Sequence, residues 1–231
     1  MKDYLAIALL MLSGAVYAEP DTEETSHNCD FDVQKAEQMI IKKQADTAMV
    51  EILAPAIAQL DALEKEDGRQ FYCSRSGAET LLYLMTAVTE GKDAVVVDQQ
   101  FAMALYFAAY VDIEDRDLTA AQQKLERALE LSPQNSNFLS ELGYVLQVQQ
   151  KWPEAFNYYE RAIEAAGISP ESSRTNELGR AMRGKGYTLI ETGKLDEAVA
   201  IYEDCLELNP NDQNAKRELK YIQHLRAKES N

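Results

Sequence analysis

The side chains best suited to nucleophilic, acid–base or metal chemistry are few: two histidines, His27 and His224, and three cysteines, Cys29, Cys73 and Cys205. His27 stands two residues from Cys29, but one imidazole and one thiol fall short of the ligand set a metal centre requires, and no metal site is expected. His224 is a lone histidine within an amphipathic stretch and reads as packing or surface. No segment carries the zinc-protease helix, the serine elbow, a phosphate-cradling loop or paired metal cysteines. With two histidines there is almost no candidate general base, so neither a catalytic residue nor a cofactor is expected. Oxidation is the chemistry left to the cysteines. Cys29 and Cys73 flank part of an N-terminal helical block, and in an oxidising compartment they could close a loop of about 45 residues, worth roughly 4 kcal/mol in the chain-entropy model. The alternative is two independent buried thiols. Cys205 reads as a buried, inert thiol.

The start of the chain speaks to compartment. Met1 and Lys2 precede an apolar run over residues 4–12, then Ser13, Gly14, Ala15, Val16, Tyr17 and Ala18, then Glu19 and Pro20. A charged start, a short apolar middle and a small-residue exit describe a secretory signal peptide, residues 1–18, cleaved after Ala18. The expected destination is the bacterial periplasm. The apolar run is too short to span a bilayer, so no stable membrane insertion is expected after cleavage. Residues 19–30 are polar and acidic without an apolar period, as in a disordered leader.

The formal net charge of -16 argues against nucleic acid as a partner, because neutralising phosphates takes a basic surface. Scarce glycine and proline, 10 and 6, among abundant Ala, Leu, Glu, Lys and Gln point to an all-helical protein. Helical periodicity begins at Phe31 and defines an N-terminal block over residues 31–92. Val33, Ala36, Met39 and Ile40 share one face. Ala48, Ile52, Ile57, Leu60 and Leu63 continue after Asp46, a candidate cap, with Pro55 expected to kink or restart the helix. A third helix spans residues 77–89, with Ala78, Leu81, Leu82, Met85 and Val88 expected to face inward.

Residues 93–212 carry a recurring pattern. Gly193, Leu195, Ala198, Tyr202, Cys205 and Pro210 reproduce Trp152, Ala155, Tyr159 and Ala162, and again Ala121, Leu125, Ala128 and Pro133. An Ala, an aromatic four residues on, a small residue three further and a closing Pro resemble the second helix of a tetratricopeptide repeat (TPR). Three hairpins are laid out, starting near Ala102, Ser136 and Gly179, with an insertion at about residues 167–177 before the third. Residues 213–231 form a capping helix and tail, with Ala215, Leu219, Ile222 and Leu225 inward. The fold expected from the resemblance is an all-α array of antiparallel helix hairpins, an α-solenoid.

The resemblance also implies a function class, protein–protein interaction through the concave face that the first helices line. Here it maps to Tyr106, Tyr110, Asn137, Tyr144, Arg180, Arg183 and Tyr187, which could hold a protein or peptide by aromatic contact and charge-assisted hydrogen bonds. One subtype of the family clamps C-terminal carboxylates with Lys and Asn. This chain has Tyr110, Tyr144 and Tyr187 where that Asn would fall, so that ligand is not transferred. The expectation is an exported scaffold or adaptor in the cell envelope, with a chaperone-like holdase as the alternative and an enzyme sited in the N-terminal block as a third. Oligomeric state is left open.

Overall fold

The computed structural model describes residues 28–229. The expected signal peptide, residues 19–27 of the leader and His27 lie outside them. The described residues form antiparallel helix hairpins with a C-terminal capping helix, and one pair of short strands lies among the helices of the N-terminal part. The chain divides into two compact units. Of the described residues, the first comprises 28–134 and 168–173, the second 135–167 and 174–229.

In the first unit, α1 (Val33–Ile41) is capped by Asp32, whose carboxylate accepts from the Lys35 amide, and it buries Val33, Ala36 and Ile40. Next come α2 (Ala45–Ala48), a π-helical turn (Met49–Leu53) and α3 (Ala54–Asp67). Asp46 does not cap; it lies inside the first turn of α2, and Gln44 takes the cap position without a side-chain bond. Pro55 does mark a restart, since it falls in the first turn of α3, where its missing N–H is tolerated.

Two strands, β1 (Gln70–Cys73) and β2 (Ala94–Val97), depart from the all-helical expectation. They pair in parallel, Gln70 opposite Ala94 and Cys73 opposite Val97. A parallel pair needs a crossover, and α4 (Gly77–Thr89) supplies it. The orientation of α4 corrects the sequence reading. Tyr83, Ala87 and Glu79 are buried, and Tyr83 stacks on Tyr72 with ring centroids 5.4 Å apart. Leu81 and Val88 are 61% and 76% exposed, and Leu82 and Met85 also face outward. Two strands make a narrow sheet that one stripe of the helix covers, so the second apolar stripe is left outside.

Glu79 is fully buried and fully served: its carboxylate accepts from the Arg75 amide at 2.7 Å and pairs with the Arg75 guanidinium at 2.7 Å. Such pairing is the condition for burying a carboxylate at all. The unit closes with the hairpin α5 (Gln100–Glu114) and α6 (Leu118–Leu131), whose Ala121, Leu125 and Ala128 are all buried at the expected repeat positions.

In the second unit, α7 (Ser136–Val148) pairs with α8 (Trp152–Ala166), α9 (Glu171–Glu191) with α10 (Leu195–Leu208), and α11 (Gln213–Glu229) covers the last hairpin with Ala215 and Ile222. The residues expected as an insertion largely become helix, because α9 starts at Glu171, eight residues ahead of Gly179. Tyr159 is the wedge between hairpins. A Cβ on Gly143 would lie 3.0 Å from its ring, and one on Gly184 only 2.1 Å. The Tyr159 hydroxyl donates to Gln147 Oε1 (2.8 Å), while Gln147 Nε2 donates to the Gly184 carbonyl (3.0 Å) and to Thr188 Oγ1 (2.8 Å). Tyr202 repeats the arrangement one hairpin on, over Gly186, with its hydroxyl on the Arg183 carbonyl at 3.3 Å.

One turn geometry recurs. Arg116, Gln150 and Gly193 all have left-handed φ, between 60° and 77°, and each is followed by a residue whose amide reaches back to a first-helix carbonyl: Asp117 to Asp112, Lys151 to Leu146, Lys194 to Leu189. Lys43, between α1 and α2, has φ 61° and the same pair of bonds, its own amide to Ile40 and that of Gln44 to Met39. Buried Ala48 and Ile52 follow Lys43 at the spacing by which Ala155 and Tyr159 follow Gln150. Buried Ala56 comes one residue later than Ala162 does in its hairpin, and the π turn between Ala48 and Ala54 holds the extra residue.

Gly184→Ala should destabilise the second unit by about 1–3 kcal/mol through forced displacement of the Tyr159 ring. Gly193→Ala, strained at φ 77° but with open space around the new Cβ, should cost only about 1–2 kcal/mol. Denaturant unfolding followed on the second unit compares the two, and a Gly184→Ala variant as stable as wild type would contradict the wedge.

Candidate functional site

Five of the seven residues expected on a binding face fall in the second unit, on two helices. Asn137 and Tyr144 stand on α7; Arg180, Arg183 and Tyr187 stand on α9, and none of the five is fully buried. Hydrogen bonds between the helices align them. Asn135 caps α7 with its side-chain oxygen on the Asn137 and Phe138 amides, and Asn137 Nδ2 donates to Glu177 Oε1 at 3.4 Å. Arg180 is ion-paired with Glu141. Arg183 Nη1 lies 2.7 Å from Asp212 Oδ2, while Asp212 Oδ1 caps α11 by accepting from the Asn214 and Ala215 amides at 2.9 and 3.0 Å.

The electrostatics therefore differ from the sequence reading. Both arginines are already neutralised by buried acids, Glu141 and Asp212, so they act first as ties that hold α7, α9 and α11 in register. The polar groups of the face are met by one another, and its aromatic side chains are the part best placed for a partner. Tyr187 is 39% exposed, with Tyr221 of α11 exposed nearby in the same unit. Burial, aided by Glu191, pushes the Tyr187 phenol up to about 12. Burial likewise raises Tyr144, with Glu141 reinforcing the shift and Arg180 opposing it, and fully buried Tyr159 is raised by desolvation.

Tyr106 and Tyr110 are corrections. They are 1% and 4% exposed on α5, a helix apolar on every side that packs against α1, the π turn, α3, α6 and β1. Tyr106 stacks edge-on with Phe107 at 5.4 Å. In this unit the first helix of the hairpin is the core, and it presents no open face. The sequence reading also missed Glu141, Glu177 and Asp212. The available signal was their place one helical turn from Asn137, Arg180 and Arg183, or at a helix start.

The other candidate residues lie apart from this face. Cys29 is half-buried, Cys73 and Cys205 are buried, and all three are free thiols; burial pushes Cys205 up to about 12. His224 is exposed on α11. In the first unit a shallow cleft is lined by Val33, Gln34, Glu37, Gln99, Gln100, Met103 and Phe107, where burial raises the Glu37 carboxyl above its ordinary value. Among the described residues no cluster of His, Cys, Asp and Glu could hold a metal ion, and no helix is long and apolar enough to cross a membrane.

Helical hairpins with partly exposed tyrosine, amide and arginine side chains on α7 and α9 define a helical-repeat class of protein. Residues 134–211, the stretch containing α7 to α10, match the tetratricopeptide repeat family. No curated protein matches the chain. Among solved structures it is similar to the first TPR of Spaghetti (RPAP3) bound to the HSP90 peptide SRMEEVD, at 23% identity over 57% of this chain and 97% of that one, with a TM-score of 0.49. It is similar also to the N-terminal domain of stress-induced protein-1 (STI-1) from C. elegans, at 21% identity over 53% and 94%, TM-score 0.46. MamA matches at 20% identity over 80% of this chain and 97% of its own, with a TM-score of 0.40.

The tyrosines set an alkaline limit. Tyr144, Tyr159 and Tyr187 hold their protons more tightly folded than unfolded. The stability this contributes is complete below the unfolded phenol value of about 10 and is lost as pH rises through the folded values. Denaturant midpoints measured against pH should fall above about pH 10, and Tyr187→Phe should make that decline shallower; an unchanged slope would remove Tyr187 from the account.

Proposed function

We propose that this chain is an exported protein-interaction scaffold, an adaptor that binds a partner protein or peptide in the cell envelope through the face built by α7 and α9. The observation that carries the reading is that Tyr144 and Tyr187 are left partly exposed on α7 and α9 while Asn137, Arg180 and Arg183 are internally paired, in a region that matches the tetratricopeptide repeat family. Tyrosine offers large, rigid contact area at low entropic cost, which is why it recurs among residues that dominate binding energy. The charged start, apolar run and small-residue exit of residues 1–18 support export, and the acidity of the chain supports a protein partner over a nucleic acid. No catalytic residue is assigned. The outward row Leu81, Leu82, Met85 and Val88 on α4 is the observation that favours the second reading, a holdase for unfolded envelope clients.

Capture from envelope extract on the immobilised chain separates the two: one stoichiometric partner supports the adaptor, and many unfolded clients support the holdase. For the adaptor, Tyr144→Ala combined with Tyr187→Ala should weaken partner affinity at least tenfold, about 1.4 kcal/mol or more. Full affinity in the folded double variant would refute the assignment of this face.

A further inference from the structure

Residues 28–33 lie along the first unit as a short strap held by side chains from distant parts of the sequence. Gln59 of α3 donates from Nε2 to the Asn28 carbonyl at 3.0 Å and accepts the Asp30 amide at Oε1, also 3.0 Å. The Val33 amide donates to Gln100 Oε1 at 3.0 Å. The Cys29 amide donates to Asp98 Oδ2 at 3.2 Å, and its thiol faces the Phe31 carbonyl at 3.6 Å. Asp98 follows Val97, the last residue of β2, and Val97 is paired in register with Cys73, the last residue of β1. The Cys73 thiol donates to the Asp98 carbonyl at 3.2 Å. One residue thus receives both cysteines, Cys29 through its carboxylate and Cys73 through its backbone. Cys205 belongs to the other unit.

We propose that Cys29 and Cys73 are a redox latch, closing a reversible disulfide that fastens the strap to the end of β1. The oxidant is an external disulfide, either a small-molecule thiol disulfide or that of a protein oxidase. Half-buried Cys29 is the sulfur such an oxidant reaches first. Its thiolate attacks the oxidant's disulfide, forming a mixed disulfide and releasing one thiol. Cys73 then loses its proton, attacks the Cys29 sulfur and releases the second thiol. Two protein thiols become one disulfide, and the oxidant's disulfide becomes two thiols that carry away both hydrogens. Desolvation raises the Cys73 thiol far above its ordinary range. Cys73 gives up its proton to thiolate released in the first step, at the end of β1 where Asp98 brings it beside Cys29.

The test treats the full chain with oxidised glutathione at mildly alkaline pH, denatures it without reductant, alkylates free thiols and maps the peptides by mass spectrometry. The expected result is one alkylated cysteine, Cys205, and a linked peptide pair containing Cys29 and Cys73, reversed by a dithiol. Three alkylated thiols, or glutathione retained on Cys29 beside an alkylated Cys73, would overturn the latch. Cys29→Ser keeps the amide bond to Asp98 and should retain two alkylatable thiols after the same treatment; their loss would show that Cys73 pairs elsewhere and would equally overturn it. The linked chain should melt several degrees above its reduced form, and an equal or lower midpoint would argue against a latch that holds the strap.

Discussion

The second unit depends on the wedging of a single buried tyrosine. The Tyr159 ring occupies space that a side chain on Gly143 or Gly184 would fill, so α7, α8 and α9 can approach only because two glycines leave room for it. A buried phenol must also find a hydrogen-bond partner, because an unmet hydroxyl in that setting costs about 1–3 kcal/mol. Gln147 meets this need and is itself fixed by the Gly184 carbonyl and Thr188. Packing and polar satisfaction therefore specify the same spacing, a consistency that favours one native arrangement over its neighbours. That spacing places Asn137 opposite Glu177 and Glu141 opposite Arg180 on the flank of the same helices. The candidate face is a by-product of where the wedge holds the hairpins.

Acidity in this chain has two physical roles. Much of it lies on exposed helix faces. Glu79, Glu141, Glu177 and Asp212 are instead buried polar ties, each joined to a basic, amide or backbone donor. Burying an unpaired carboxylate is costly, and breaking such a pair leaves the partner uncompensated, so these acids act as register pins whose removal matters more than their number suggests.

The repeats were legible because helical packing imposes a fixed period: Ala155, Tyr159, Ala162 and Ala198, Tyr202, Cys205 are each buried where the spacing placed them. The capping helix was legible from the same period. The strands were not. Ala94–Val97 is a short apolar run that periodicity alone cannot distinguish from a helical segment, and its partner Gln70–Cys73 acquires meaning only through the pairing. The orientation of α4 was hidden because two of its stripes are apolar and only the neighbouring sheet chooses between them. Of the candidate site, the residues on α7 and α9 lie at least partly exposed, as their repeat position implied. Tyr106 and Tyr110 were misread for the same reason: the position was right, but the helices wrapped around α5 turned that face into core. The acids that neutralise Arg180 and Arg183 left only a weak trace, their place one helical turn from site residues or at a helix start, since sequence shows a charge but not its partner.

The π turn before Pro55 has a consequence for how such chains record length changes. A residue added to an α-helix rotates everything beyond it by about 100° and would carry the downstream apolar stripe off the core. A π turn absorbs that residue locally, so Ala56 and Leu60 still point inward past the insertion. Helices of this kind tolerate single-residue insertions that a loop would ordinarily be needed to accommodate. Any ungapped spacing rule then loses the hairpin at that point, although the left-handed turn at Lys43 and buried Ala48 and Ile52 persist on its near side. The turn alone does not mark a hairpin, since Gly91 has the same geometry between α4 and β2; the turn and the buried small residue five positions on mark it together.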